Sequence, residues 1–174
     1  RVKMANIAQV VNVLQSMILT DQEGTGHMVL TPTYHVFEMY TPFQEAIYLP
    51  VDLNTEVISV SKAYFKEKAN AADAGYRPCP LLSVSAAKTR DGSIVFALTN
   101  VSLDKDQTID VAIDDFKAKS VSGRILTSKR ADDYNDFEHP NRVQPAEFKD
   151  VKIGKDGKLS VKLPAKSIVV LNIK

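Results

Sequence analysis

The feature that most constrains this chain is an apolar–polar alternation on either side of an Asp-Gly pair. Leu82, Val84 and Ala86 alternate with Ser83, Ser85 and Ala87; Asp91 and Gly92 follow; Ile94, Phe96 and Leu98 then alternate with Val95, Ala97 and Thr99. A period of two sends successive side chains to opposite faces of a strand, and Asp-Gly supplies the positive φ of a tight reversal, so the pattern predicts a β-hairpin. Short runs of the same kind recur at Ile109, Val111 and Ile113, at Val121, Gly123 and Ile125, at Leu159, Val161 and Leu163, and from Ile168 to Ile173. Pro164-Ala165-Lys166 joins the last two, and Gly154 to Gly157 marks a further turn. Residues 62–80 and 128–147 read as long polar connections. Many short strands with regular turn signals and no long helix between them predict an antiparallel β-sandwich rather than a βαβ fold.

Ahead of Pro42 to Pro50 the pattern is different, denser in apolar residues and partly helical. Thr31-Pro32 reads as an N-cap followed by proline in the first helical turn, where its missing N–H costs nothing. Val36, Met39, Tyr40 and Phe43 then form one apolar stripe that predicts a helix to about Thr41, stopped by Pro42. The loop Asp21 to Gly26, flanked by Leu19 and Leu30, predicts a small hairpin. Residues 1–20 fit a helical face through Met4, Ile7, Ala8 and Val11, and a buried strand through Val10, Val11 and Val13. Arg1 stands inside this apolar stretch with no lead-in, which suggests a segment of a longer protein.

The 174 residues are 44% apolar and 25% charged, a composition that folds. Lys and Arg (22) nearly cancel Asp and Glu (21), which argues against nucleic acid or an anionic membrane as partner. Cys79 is the only cysteine, so an intrachain disulfide and a cysteine-based zinc site are both excluded and the redox compartment stays open. No apolar run has the length of a membrane-spanning helix.

The densest carboxylate cluster is Asp132, Asp133, Asp136 and Glu138, with Asn135 and Asn141 in the same stretch. Paired carboxylates can hydrolyse a glycoside, but Asx-rich loops ordinarily cap turns and face water, and this one lacks the ligand spacing and glycine of a calcium loop. His27, His35 and His139 show no metal-ligand spacing, so no metal and no cofactor are expected. Without tryptophan, the candidates for a sugar-stacking platform are Tyr64, Phe65 and Tyr76, for which core packing or loop anchoring is the simpler role.

Three stretches resemble one family. Val2-Lys3-Met4-Ala5-Asn6-Ile7-Ala8-Gln9-Val10-Val11-Asn12-Val13 resembles the last barrel segment of the α-L-arabinofuranosidases of glycoside hydrolase family 51. Met28 to Phe37 is similar to that family's barrel-closing helix, and Asn135-Asp136-Phe137-Glu138-His139-Pro140-Asn141-Arg142-Val143-Gln144-Pro145 to a loop of its C-terminal β domain. The resemblance implies a parent with a catalytic (β/α)₈ barrel and a C-terminal sandwich of jelly-roll type. Residues 1–44 would be the end of the barrel, a strand, hairpin and helix, and 45–174 the sandwich. It further implies a retaining exo-hydrolase that removes terminal α-L-arabinofuranosyl groups from arabinan or arabinoxylan, often as a homo-oligomer, with the upstream barrel as the sandwich's own partner. The family's acid/base is a glutamate preceded by asparagine, near a tryptophan-containing motif. This sequence has neither an Asn-Glu dipeptide nor tryptophan, so both catalytic glutamates are expected upstream of Arg1 and the chain alone is expected to be inactive. One substrate-binding residue is implied, Gln9, whose neutral amide suits a furanose hydroxyl and takes no part in proton transfer; a buried glutamine satisfying backbone groups is the structural alternative. The alternative function is a non-catalytic carbohydrate-binding β-sandwich module.

Overall fold

In the computed structural model the alternating segment is the expected hairpin, paired antiparallel from Leu82↔Asn100 to Lys88↔Ile94. Gly92 sits at φ 85° in the connection, the left-handed region where a side chain is strained, and its N–H reaches the Thr89 carbonyl at 3.1 Å. The structure describes residues 6–7, 10–13, 16–61 and 76–174, the side chains of 61, 76 and 77 excepted.

Among the described residues the elements run β1 (Ile18–Thr20), β2 (Met28–Leu30), α1 (Pro32–Met39), a 3₁₀ turn at Thr41–Phe43, β3 (Ile47–Leu49), β4 (Val57–Ser61), β5 (Tyr76–Pro80), β6 (Leu82–Lys88), β7 (Ile94–Asn100), β8 (Gln107–Val111), β9 (Val121–Thr127), β10 (Ala146–Glu147), β11 (Val151–Ile153), β12 (Leu159–Leu163) and β13 (Ser167–Ile173). Six strands form one sheet in the order β10-β9-β13-β7-β6-β3, and three form another, β11-β12-β8. The pairs β1–β2 and β4–β5 stand as separate two-stranded ribbons, and the strand pairings are antiparallel. Strand β13 lies between β7 and β9 because Ser167 to Ile173 is apolar on both faces, as a central strand must be.

Between the two sheets lies the main core: Leu98, Leu159, Val161, Leu163, Val169, Leu171 and Ile173 are at most 1% exposed. Burying each leucine contributes about 1.5–3 kcal/mol relative to leaving it in water. The opposite face of the larger sheet is also covered. Val95, Ala97, Leu126 and Val170 pack there with Met39 and Val143, flanked by Val36, Tyr40 and Phe43 from the helix stripe. Strand β7 is therefore buried on both sides despite its alternating sequence, because α1 and the loop before β10 close what would be a solvent face. Gly123 in β9 marks another close approach: a Cβ there would meet Leu171 Cδ2 at 2.7 Å and Phe148 Cβ at 3.2 Å.

The sandwich, the hairpin over 21–26 and the N-cap of α1 match their sequence expectations. Three details differ. Residues 76–80, read as connection, form β5, since a two-stranded edge ribbon tolerates Pro78 and Pro80 where a central strand would not. Residues 146–147, also read as connection, pair with β9 as β10. The α-helix stops at Met39 and the chain tightens into the 3₁₀ turn, with Pro42 inside it. Of the ambiguous first twenty residues, 10–13 are not helical: Val10 accepts backbone bonds from Met17 and Ile18, both at 3.0 Å, and Val11 bridges to Ile18.

Candidate functional site

The acidic loop after β9 is self-contained. Arg130 clamps both oxygens of Asp132 at 2.8 and 2.7 Å, and this bond lowers the Asp132 pKa from the ordinary 3.8 to about 2. Asp133 accepts from the Ser128 hydroxyl and, at 3.1 Å, from the Arg130 backbone N–H, which likewise hold its carboxyl below the usual range. At Asp136 desolvation opposes ionisation, but the His139 backbone N–H at 2.6 Å and the Arg142 guanidinium outweigh it. Asp132, Asp133 and Asp136 thus act as turn caps and ion-pair partners, and Glu138 is exposed beside them.

The other displaced carboxylates, Asp21, Glu38, Asp91, Asp106 and Asp156, also move downward. A glycosidase acid needs the opposite, a carboxyl held protonated near neutral pH. Among the described residues no carboxylate is displaced upward and no group of three His, Cys, Asp or Glu side chains converges as a metal would require.

The three histidines fall on separate elements. His27 ends the loop of the first hairpin, where its backbone N–H caps Asp21 at 3.0 Å. His35 stands edge-on to Tyr34 on α1, its pKa lowered by burial against the opposing pull of Glu38. His139 faces Asp136 at 3.3 Å in the acidic loop. Cys79 is a free thiol in β5. Gln9, Tyr64 and Phe65 lie outside the described residues, as does the side chain of Tyr76.

Two concavities among the described residues bear on function. A cavity of about 150 Å³ between the end of α1 and the sheet is lined by Glu38, Thr41, Ser122, Arg124 and Asn172, and the Asn172 Oδ1 within it is buried without a partner. Its one carboxylate, Glu38, is ionised by the Arg124 guanidinium 2.5 Å away. A wider open cleft at the loop end of the sandwich brings together Asp104, Asp106, Asp133, Lys129, Arg142 and Lys166, where Asp106 and Asp133 are likewise held ionised.

Sequence reasoning passed over Asn135 as one Asx residue among several. Only 2% exposed, it donates through Nδ2 to the carbonyls of Leu30 and Val143, both at 2.8 Å, and accepts the Val143 N–H at 2.8 Å. The acidic loop is thereby fastened to the end of β2, a contact across 105 residues that no local pattern announces.

The described residues thus form an antiparallel sandwich whose outer sheet face is closed by a preceding helix, and their displaced carboxylates all favour the ionised form. Residues 1–167 match the model of the α-L-arabinofuranosidase C-terminal domain, and the chain belongs to that family. It is 51% identical over 173 residues to the intracellular exo-α-L-arabinofuranosidase of Bacteroides ovatus, an alignment covering 99% of this chain and 30% of that protein. The crystal structure of the GH51 arabinofuranosidase from Xanthomonas axonopodis pv. citri superposes with a TM-score of 0.83 at 39% identity, over 100% of this chain and 32% of that one. The Thermotoga maritima α-L-arabinofuranosidase in its arabinose complex, at 22% identity and a TM-score of 0.68 over 95% of this chain and 32% of that one, shares the fold. The chain spans about a third of the length of these relatives.

Proposed function

We propose that this chain is the C-terminal accessory region of a retaining α-L-arabinofuranosidase that removes terminal α-L-arabinofuranosyl residues from arabinan and arabinoxylan. The observation that carries the reading is identity of 51% along 99% of the chain to an exo-α-L-arabinofuranosidase of which it represents only 30%. The remaining length of such a protein accommodates a catalytic domain upstream, and in this reading residues 1–44 close its (β/α)₈ barrel while 45–174 form the sandwich against it. Gln9 then binds a sugar hydroxyl through its amide, and both catalytic glutamates come from upstream. The complete enzyme works as a homo-oligomer.

Retaining hydrolysis needs two carboxyl groups roughly 5–5.5 Å apart, one protonated and one ionised. Among the described residues the displaced carboxylates are instead held ionised by partners of their own. Purified alone, it is expected to leave an aryl α-L-arabinofuranoside untouched, while the full-length protein hydrolyses it with retention of configuration. Turnover that co-purifies with the isolated chain would overturn the accessory role, and binding of arabinoxylan by the isolated chain without cleavage would favour a carbohydrate-binding module.

A further inference from the structure

The region before α1 is held to the sandwich by a short relay of hydrogen bonds. Asn135 Nδ2 donates to the Leu30 carbonyl at 2.8 Å, among the described residues the one hydrogen bond between the sandwich and residues 6–31. The next residue, Thr31, donates its backbone N–H to the Met17 carbonyl at 3.0 Å and its hydroxyl to the Ser16 carbonyl at 2.7 Å, while capping α1 through Tyr34 N–H. Ser16 is 1% exposed, and Met17 and Ile18 both donate to the Val10 carbonyl at 3.0 Å. Leu30, Thr31 and Met17 therefore connect Asn135 to Val10, the residue following Gln9 in the sequence.

We propose that Asn135 is a positioning residue for sugar binding, a side chain of the β domain that sets the place of the segment leading into β1. The inference rests on the reading that this segment belongs to the catalytic barrel and presents Gln9 to the substrate. The physical case is that Asn135 has no slack. Both amide hydrogens and the carbonyl oxygen are engaged, the residue is buried, and removal of its amide leaves the half-buried Leu30 carbonyl without this partner and both Val143 backbone groups unpaired away from water. The Leu30–Thr31 corner then loses its attachment to the loop, and the corner is what Ser16, Met17 and, through them, Val10 follow. Small displacements of a substrate-positioning group weaken binding sharply.

The test uses the full-length enzyme and an arylarabinofuranoside. Asn135→Ala is expected to raise KM by about 3- to 30-fold with kcat changed by less than about 3-fold, because the reacting carboxyls are untouched. Combined with Gln9→Ala it should add almost nothing to the worse single variant, since both act on one segment. Asn100→Ala is the matched control. Asn100 is 1% exposed and as fully bonded, to the carbonyls of Lys105, Leu163 and Pro164 and the N–H of Ser102, but its side chain makes no hydrogen bond to the described residues before α1. It should lower Tm comparably and leave KM alone. Should Asn135→Ala not fold, Asn135→Ser, which retains one donor, reads the same KM-to-kcat split. An unchanged KM in a folded Asn135 variant, an equal KM rise in Asn100→Ala, or full additivity with a Gln9→Ala variant that itself raises KM would each overturn the proposal. If Gln9→Ala is silent while Asn135→Ala alone raises KM, the sugar contact of Gln9 falls and the positioning role stands.

Discussion

At the scale of single residues, the contrast between Gln9 and Asn135 shows what one side chain can reveal. Both are neutral amides, able to donate and accept at once, and neither can transfer a proton in the reaction. For Gln9 the case comes from the resemblance of the segment around it; for Asn135 it comes from three hydrogen bonds in the structure. In the full-length enzyme, replacing Gln9 by alanine should cost about 0.5–1.5 kcal/mol of binding, rising to about 3 if its partner is left unpaired, hence a several-fold to few-hundred-fold drop in kcat/KM. Part of the loss should appear in KM, because a hydroxyl held from the ground state onward is bound in substrate and transition state alike. Steady-state kinetics with thermal melting as a folding control measure this, and unchanged kinetics in a well-folded variant would make Gln9 structural. Asp132, Asp133 and Asp136 were legible as turn caps because Asx residues bond to nearby backbone; the grip of Asn135 on Leu30 was not, because that partner is 105 positions away.

At the scale of elements, α1 is the piece whose role depends most on its surroundings. Its stripe of Val36, Met39 and Tyr40 was readable from spacing, and its N-cap from Thr31-Pro32. The surface the stripe covers was not readable, and it turned out to be the outer face of the six-stranded sheet. Met39 is 2% exposed and Phe37, on the same helix, 37%. Truncating Met39 to alanine opens a cavity in that layer and should destabilise the fold by about 2–5 kcal/mol, whereas Phe37→Ala should cost about 1 kcal/mol or less. Urea unfolding of the two variants compares them. Equal, small losses would show that α1 is dispensable to the sandwich.

For the whole molecule, the ionisable groups act in concert on acid stability. His35 is lowered from 6.5 by burial, and the displaced carboxylates are lowered from their ordinary values, so the folded state binds fewer protons than the unfolded chain. Each such group contributes stability that is present above its unfolded pKa and is lost as pH falls through its folded value. Tm should therefore be flat from about pH 6.5 to about pH 9, decline modestly just below pH 6.5 through His35, and fall again between about pH 4 and pH 2 as carboxylates such as Asp132 protonate. His35→Gln should remove the first decline and keep the second. A Tm that rises between pH 7 and pH 5 would contradict the His35 assignment.

What the sequence determined by itself was whatever follows from neighbours in the chain. Alternation with Asp91-Gly92 produced the hairpin, Thr31-Pro32 the start of α1, and Gly154 to Gly157 the reversal between β11 and β12, because side-chain direction and backbone freedom are local properties. The order β10-β9-β13-β7-β6-β3, the burial of β7 on both faces, the close seat of Phe148 on Gly123 and the grip of Asn135 on Leu30 were decided by tertiary structure. Each depends on pairs far apart in sequence, whose meeting is selected by the burial of a shared apolar surface and the pairing of polar groups inside it, and no local pattern encodes which two surfaces will be joined.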